Sequence, residues 1–201
     1  LPFYLSASNH CHPNYASYFA GRGTLFLLFL AQFGLIWLIS SRIGTMSFTT
    51  ATLLFIAYSL LTGVTLSSIF VLFTVGSIAS VFFITAGTFA SVSIYGFITK
   101  KDLSTWRSYL LMGLIGLIIA SIVNWFLASE LMYWIISYVG VIIFVGLTAY
   151  DTQKIKHMML SYGAAGVTDE TNKLALLGSL TLYLDFINLF LYLLRFFGDR
   201  K

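Results

Sequence analysis

The sequence predicts an all-α fold, a polytopic bundle of membrane-spanning helices, and three observations carry that prediction. Of the 201 residues, 59% are hydrophobic and only 9% charged, with a mean hydropathy of +0.91; a water-soluble domain carries about 25% charge. The apolar residues gather into six runs, each reaching or approaching the roughly 20 residues a helix needs to cross about 30 Å of hydrocarbon. The runs do not alternate with a period of two, as the strands of a membrane barrel would, and helices satisfy every backbone donor and acceptor internally.

Residues 1–23 form an extramembrane N-terminal segment, in which Asn9, His10, His12, Pro13 and Asn14 interrupt any apolar stretch. With no initiating Met, and without the basic start and apolar core of a signal peptide, the chain reads as an N-terminally shortened product. The triplet His10-Cys11-His12 reads as a solvated loop, since nothing elsewhere completes a metal-ligand set. Cys11 is the single cysteine, so no internal disulfide is possible, and without a C-x-x-C motif redox chemistry is not expected.

The expected spans are 24–41, 48–73, 75–99, 109–127, 131–150 and 174–197. They make one membrane domain, 24–198, with a short tail at 199–201. The longest connection, 151–173, begins as an amphipathic continuation of the fifth helix to about Leu160. Counting basic residues on alternating sides puts Arg42, Lys100, Lys101, Arg107, Lys154, Lys156 and Lys173 on one face, which the positive-inside rule makes cytoplasmic. The other face holds Arg22 and, if the last run crosses fully, Arg195, Arg200 and Lys201. A re-entrant last segment would sharpen the charge bias, whereas its 24-residue length favours a full span. The net charge of +4 suits anchoring beside anionic membrane lipids. The basic residues are scattered in short loops rather than aligned as a phosphate-binding stripe, so nucleic acid is not an expected partner.

Asp151 ends the fifth run and Asp185 lies within the last. A carboxylate in hydrocarbon costs about 2.5 kcal/mol or more on insertion scales, which makes the two the leading candidate site. With the fifth helix continued to about Leu160, Asp151 lies roughly 14 Å from that end, and Asp185 roughly 16 Å into the last helix from the same face. Antiparallel neighbours therefore bring the carboxyls together. Two carboxyls in contact and away from water cannot readily both ionise, and they share a proton. Loss of that proton adds repulsion, which parts the helices or attracts a cation, and acidification restores the bond: a pH-sensing gate. The same oxygens suit Ca²⁺, although two carboxylates make an incomplete site, weak and transient, fit for an ion in transit. No tightly bound cofactor is expected.

On the last helix Gly178, Thr181, Asp185, Asn188 and Tyr192 fall on one stripe. Thr181, Asn188 and Tyr192 are read either as pore lining or as a hydrogen-bonded packing seam. Asn124 is a further candidate pore-lining group. Arg42, at the cytoplasmic end of the first run, is a candidate latch onto Asp151, and Lys154, three residues along the same helix, is another; headgroup snorkelling is the competing reading of both. Gly113, Gly116, Gly140 and Gly146 read as close helix packing.

The stretch G-L-T-A-Y-D-T-Q-K-I-K from Gly146, followed by S-L-T-L-Y-L-D-F-I-N-L-F-L-Y-L-L-R-F-F-G from Ser179, resembles the Bax inhibitor family, also called the transmembrane Bax-inhibitor-motif family, in its bacterial form. G-V-T-L from Gly63 and the loop K-K-D-L-S extend the resemblance over about residues 24–198. It implies seven helices, six surrounding the last, and a pH-sensitive calcium leak controlled by two aspartates, whose positions Asp151 and Asp185 match. It also implies an arginine near the cytoplasmic end of the second helix that engages the first aspartate, for which Arg42 is the nearest candidate. Six long runs are visible here rather than seven.

The two aspartates also admit two other classes. An intramembrane aspartyl protease also uses two helix-borne aspartates, but Leu182, Tyr183 and Leu184 precede Asp185 where glycines would let a substrate backbone approach; an enzyme is not expected. A non-conducting regulatory membrane protein, acting on survival factors or membrane proteases through membrane-protein partners, stays open as the alternative. The expected localisation is a bacterial cytoplasmic (inner) membrane.

Overall fold

A computed structural model describes residues 22–163, 166 and 168–201; His10, Cys11, His12 and most of the N-terminal segment lie outside them. Six long helices follow one another: α1 (Arg22–Arg42), α2 (Phe48–Leu66), α3 (Val75–Ile98), α4 (Arg107–Leu127), α5 (Glu130–Gly163) and α6 (Asp169–Phe197). A one-turn helix, Ile69–Leu72, follows α2, and a 3-10 turn, Leu103–Trp106, precedes α4. By length and composition α2 through α6 are five helices able to cross a membrane, while α1 offers a shorter apolar stretch, Leu27–Arg42. The protein is an all-α, multi-pass integral membrane protein.

The helix starts are written locally. Ser47 accepts a hydrogen bond from Thr50 N at the head of α2, and Thr74 does the same for Ser77 N at the head of α3. At α6, Thr168 and Thr171 form a reciprocal capping box, with Asp169 and Glu170 in the first turn and Arg195 in the last, as the helix dipole favours. α4 ends at Ala128, whose left-handed backbone (φ 50°) turns the chain directly into α5. Asn124 closes that turn by accepting from Ser129 N at 3.0 Å, so its side chain serves the connection rather than a pore.

α5 and α6 form the most extensive helix pair. α6 also meets α3 and α2, α4 packs on α5, and α1 packs on α2. Two apolar clusters result: one joins α3, α4, α5 and α6 around Val81, Leu117, Phe144, Leu189 and Leu194, the other joins α1, α2 and α6 around Ile39, Tyr58 and Leu180. α5, not α6, is the most enclosed span, with 39% of its apolar window buried against 28% for α6 and 6% for α4. α5 approaches α3 so closely that a Cβ on Gly96 would collide with the Ala149 carbonyl oxygen.

The tail decides how the last helix crosses. Thr74 N donates to Asp199 O at 3.1 Å and Lys201 N to Leu72 O at 2.9 Å, around an isolated antiparallel bridge between Phe73 and Arg200. Asp199 N donates to Ser77 Oγ at 2.8 Å. These contacts fix the tail at the α2–α3 end of the bundle. The α3–α4 loop is held to the far part of α5, at the opposite end: Gln153 Nε2 donates to Lys101 O, and Lys156 Nζ donates to Phe97 O at 2.7 Å. The last run therefore spans fully, and the re-entrant reading fails because the tail has its partners on the other side.

Candidate functional site

Asp151 on α5 and Asp185 on α6 are 9% and 5% exposed, and their carboxyls lie within hydrogen-bonding reach of each other. Two close approaches bracket them. Gly178 of α6 leaves room for Ile155 of α5, whose side chain a Cβ there would meet at 3.1 Å, and Gly140 of α5 receives the Tyr192 ring, which a Cβ would meet at 2.6 Å. In an antiparallel pair these notches lie on either side of the aspartates along both helices. Small residues at such points let membrane helices draw near.

Asp185 Oδ2 is buried with no hydrogen-bond partner. Ionised carboxylates are acceptors only, so two of them can bond only when one carries a proton. The hydroxyls nearby on α5 do not supply one: Thr148 Oγ1 donates to Phe144 O at 2.7 Å and Thr152 Oγ1 to Thr148 O at 2.7 Å, both within their own helix. Among the described residues no group of three His, Cys, Asp or Glu side chains assembles, so a cation at this site would find two carboxylates and no third acidic ligand.

The expected latch stands elsewhere. Arg42 is exposed at the end of α1, which packs on α2 and on the Leu180 and Tyr183 region of α6 rather than on α5. Lys173 pairs with Asp169 at 3.0 Å, and among the described residues Arg42 makes no ion pair with Asp151 within 4 Å. The cations whose charge bears on Asp151 are Lys154, on its own helix, and Arg107, at the head of α4. Sequence reading had counted Arg107 only as a cytoplasmic charge; its nearness to α5 depends on the fold of the α3–α4 loop.

The polar stripe of α6 is satisfied within its own helix or by ring packing. Thr181 Oγ1 donates to Leu177 O at 3.0 Å and Asn188 Nδ2 to Leu184 O at 2.8 Å. Tyr192 stacks on Phe144, with centroids 5.7 Å apart, and Arg195 lies over the Tyr192 and Tyr133 rings at 5.2 and 5.3 Å. Beyond the aspartates toward the tail end, Leu189, Phe190, Leu193 and Leu194 are buried with Ile143, Phe144 and Leu147 in one apolar cluster.

Sequence reading passed over Gln153. Two residues after Asp151 and 5% exposed, it grips the α3–α4 loop with both ends of its amide: Oε1 accepts from Leu103 N at 2.8 Å and Nε2 donates to Lys101 O at 2.8 Å. An amide inside the amphipathic stretch after Asp151 was the available signal, but its partners lie some fifty residues upstream.

The fold is a multi-pass membrane helix bundle in which two carboxyls are buried side by side between adjacent antiparallel helices. Residues 3–201 match the family described as Inhibitor of apoptosis-promoting Bax1, and the chain belongs to that family. It is 51% identical over 183 residues to the inner membrane protein YbhL of Escherichia coli, covering 91% of this chain and 78% of that protein. An uncharacterized protein of Borreliella burgdorferi is 52% identical over 185 residues, with the same coverage. One of Rickettsia prowazekii is 45% identical over 181 residues, covering 90% of this chain and 75% of the relative.

Proposed function

We propose that this protein is a pH-sensitive calcium leak channel of a bacterial inner membrane, gated by the proton that Asp151 and Asp185 share. The contact between two buried carboxyls, with Asp185 Oδ2 otherwise unpartnered, carries the reading. Below the pH at which the shared proton leaves, one O–H···O bond holds α5 to α6 and the path is shut. Above it, two negative charges about 4 Å apart repel by about 4 kcal/mol at an effective dielectric constant of 20, close to a thousandfold in an equilibrium. Separation of the helices relieves that repulsion, and a divalent cation compensates it. Two carboxylates hold Ca²⁺ weakly enough for it to leave again. The location follows the E. coli relative, an inner membrane protein, and the basic loops that the positive-inside rule places in the cytoplasm.

The apolar cluster between the aspartates and the tail end supports a second reading, a non-conducting regulator working through membrane-protein partners, because Leu189, Phe190, Leu193 and Leu194 pack against Ile143, Phe144 and Leu147 across that part of the α5–α6 pair. Reconstitution separates the two. Liposomes holding only this chain and a calcium dye should leak faster as the pH is raised, and Asp151→Asn or Asp185→Asn should flatten that response while insertion is unchanged. No flux at any pH would leave the regulator; equal pH responses in wild type and both variants would reject the gate.

A further inference from the structure

We propose that the groove between α3, α4 and α5 is a binding site for an anionic phospholipid of the cytoplasmic leaflet, with Lys101 meeting the phosphate. The groove encloses about 670 Å³, within the range of small-molecule sites, and is open on one side. It is lined by half-buried Val92 and Val145 and buried Ala149, and by the exposed Tyr95, Lys101 and Trp106. Lys101 is held level with Gln153, whose amide bonds its carbonyl, while Val145 lies eight residues back along α5, about 12 Å deeper. The cavity thus starts at the loops and runs into the hydrocarbon zone, a shape that takes an amphipathic ligand with its chain down and its head up.

The rim carries the complementary charge. Lys101, the cation that lines the groove, is exposed and makes no ion pair within 4 Å among the described residues. Asp102 is the acidic group on the rim, and its carboxylate is engaged by Ser104 N at 2.9 Å and Ser104 Oγ at 2.6 Å. Trp106 and Tyr109, 62% and 70% exposed with ring centroids 6.4 Å apart, are the amphipathic rings that settle at headgroup depth. A headgroup without net negative charge satisfies the apolar part of the groove and leaves the lysine unmatched. The occupant would also touch Tyr150, the residue before Asp151.

The test is Trp106 fluorescence in vesicles in which either phosphatidylglycerol or phosphatidylcholine, at equal mole fraction, carries brominated chains, with Trp106→Phe giving the contribution of the other tryptophans. The expected result is about fivefold stronger apparent binding of the brominated phosphatidylglycerol at Trp106, the preference one lysine near a charged headgroup supplies. Lys101→Gln should remove the preference, and Val145→Phe, which fills the groove and keeps the lysine, should reduce quenching by both lipids. Equal quenching by the two lipids in the wild type would mean ordinary surrounding lipid only and would overturn the proposal, as would a preference that survives Lys101→Gln.

Discussion

Gln153→Ala should loosen the α3–α4 loop without disturbing the bundle. The wild-type amide makes two hydrogen bonds, each 2.8 Å long, from a position 5% exposed. A neutral hydrogen bond contributes about 1 kcal/mol net, and a donor left unsatisfied costs about 1–3 kcal/mol. Lys101 is exposed and water can replace the lost bond there, whereas Leu103 is half-buried. The loop should therefore lose about 2 kcal/mol of local stability, which raises hydrogen exchange at the Leu103 amide by about thirtyfold. Gln153→Glu keeps the acceptor for Leu103 N and, when ionised, loses the donor to Lys101 O, so its Leu103 exchange should rise far less than in the alanine variant. Hydrogen-exchange mass spectrometry of the 99–106 segment in nanodiscs reads both. Unchanged Leu103 exchange in Gln153→Ala, or identical exchange in the two variants, would refute the clamp.

Three further outcomes follow from the same geometry. Gly96→Ala sets a methyl group against the Ala149 carbonyl, a backbone atom that cannot swing aside, and should cost about 1–3 kcal/mol as an overpacked contact, seen as a lower unfolding temperature in detergent. Ala128→Gly relieves the left-handed backbone at φ 50° and should stabilise by about 1 kcal/mol, raising the same temperature. Hydrogen bonds from Ser104 hold the Asp102 carboxyl below the ordinary carboxylate range, so what they contribute to loop order is present above that range and lost as the pH falls through the lowered value; Ser104→Ala should move the Asp102 titration upward, as read by carboxyl carbon NMR.

Helix identity was legible because a span leaves a long mark: each apolar run lies on a helix, and a carboxylate within such a run announces itself. Helix ends were less so. The fifth helix, expected to continue past its apolar run to about Leu160, reaches Gly163, and α6 begins at Asp169, five residues before its apolar run, because its first turn is polar. Measured to those true ends, Asp151 and Asp185 lie about 18 and 24 Å deep rather than at matching depths. The carboxyls still meet, since the stagger of the two helices is set by the notches at Gly140 and Gly178, which sequence reading had not placed opposite Tyr192 and Ile155. Arg42 failed as a neighbour of Asp151 for a related reason: being at the same end of the bundle says nothing about which helix lies beside which. Arg107, Gln153 and Lys156 come together only once the α3–α4 loop folds back on α5.

α5 runs for 34 residues, about 51 Å, with no proline and no break between Glu130 and Gly163, and Asp151 lies about 32 Å along it. A rigid strut of that length acts as a lever. Pivoting about its Glu130 end by about 5° displaces Asp151 by about 3 Å and the far tip by about 4 Å, enough to sever an O–H···O bond with no joint bending anywhere. A slight rocking of one rod is thus sufficient to part the two acids, and whatever grips its Gly163 tip holds the longer arm.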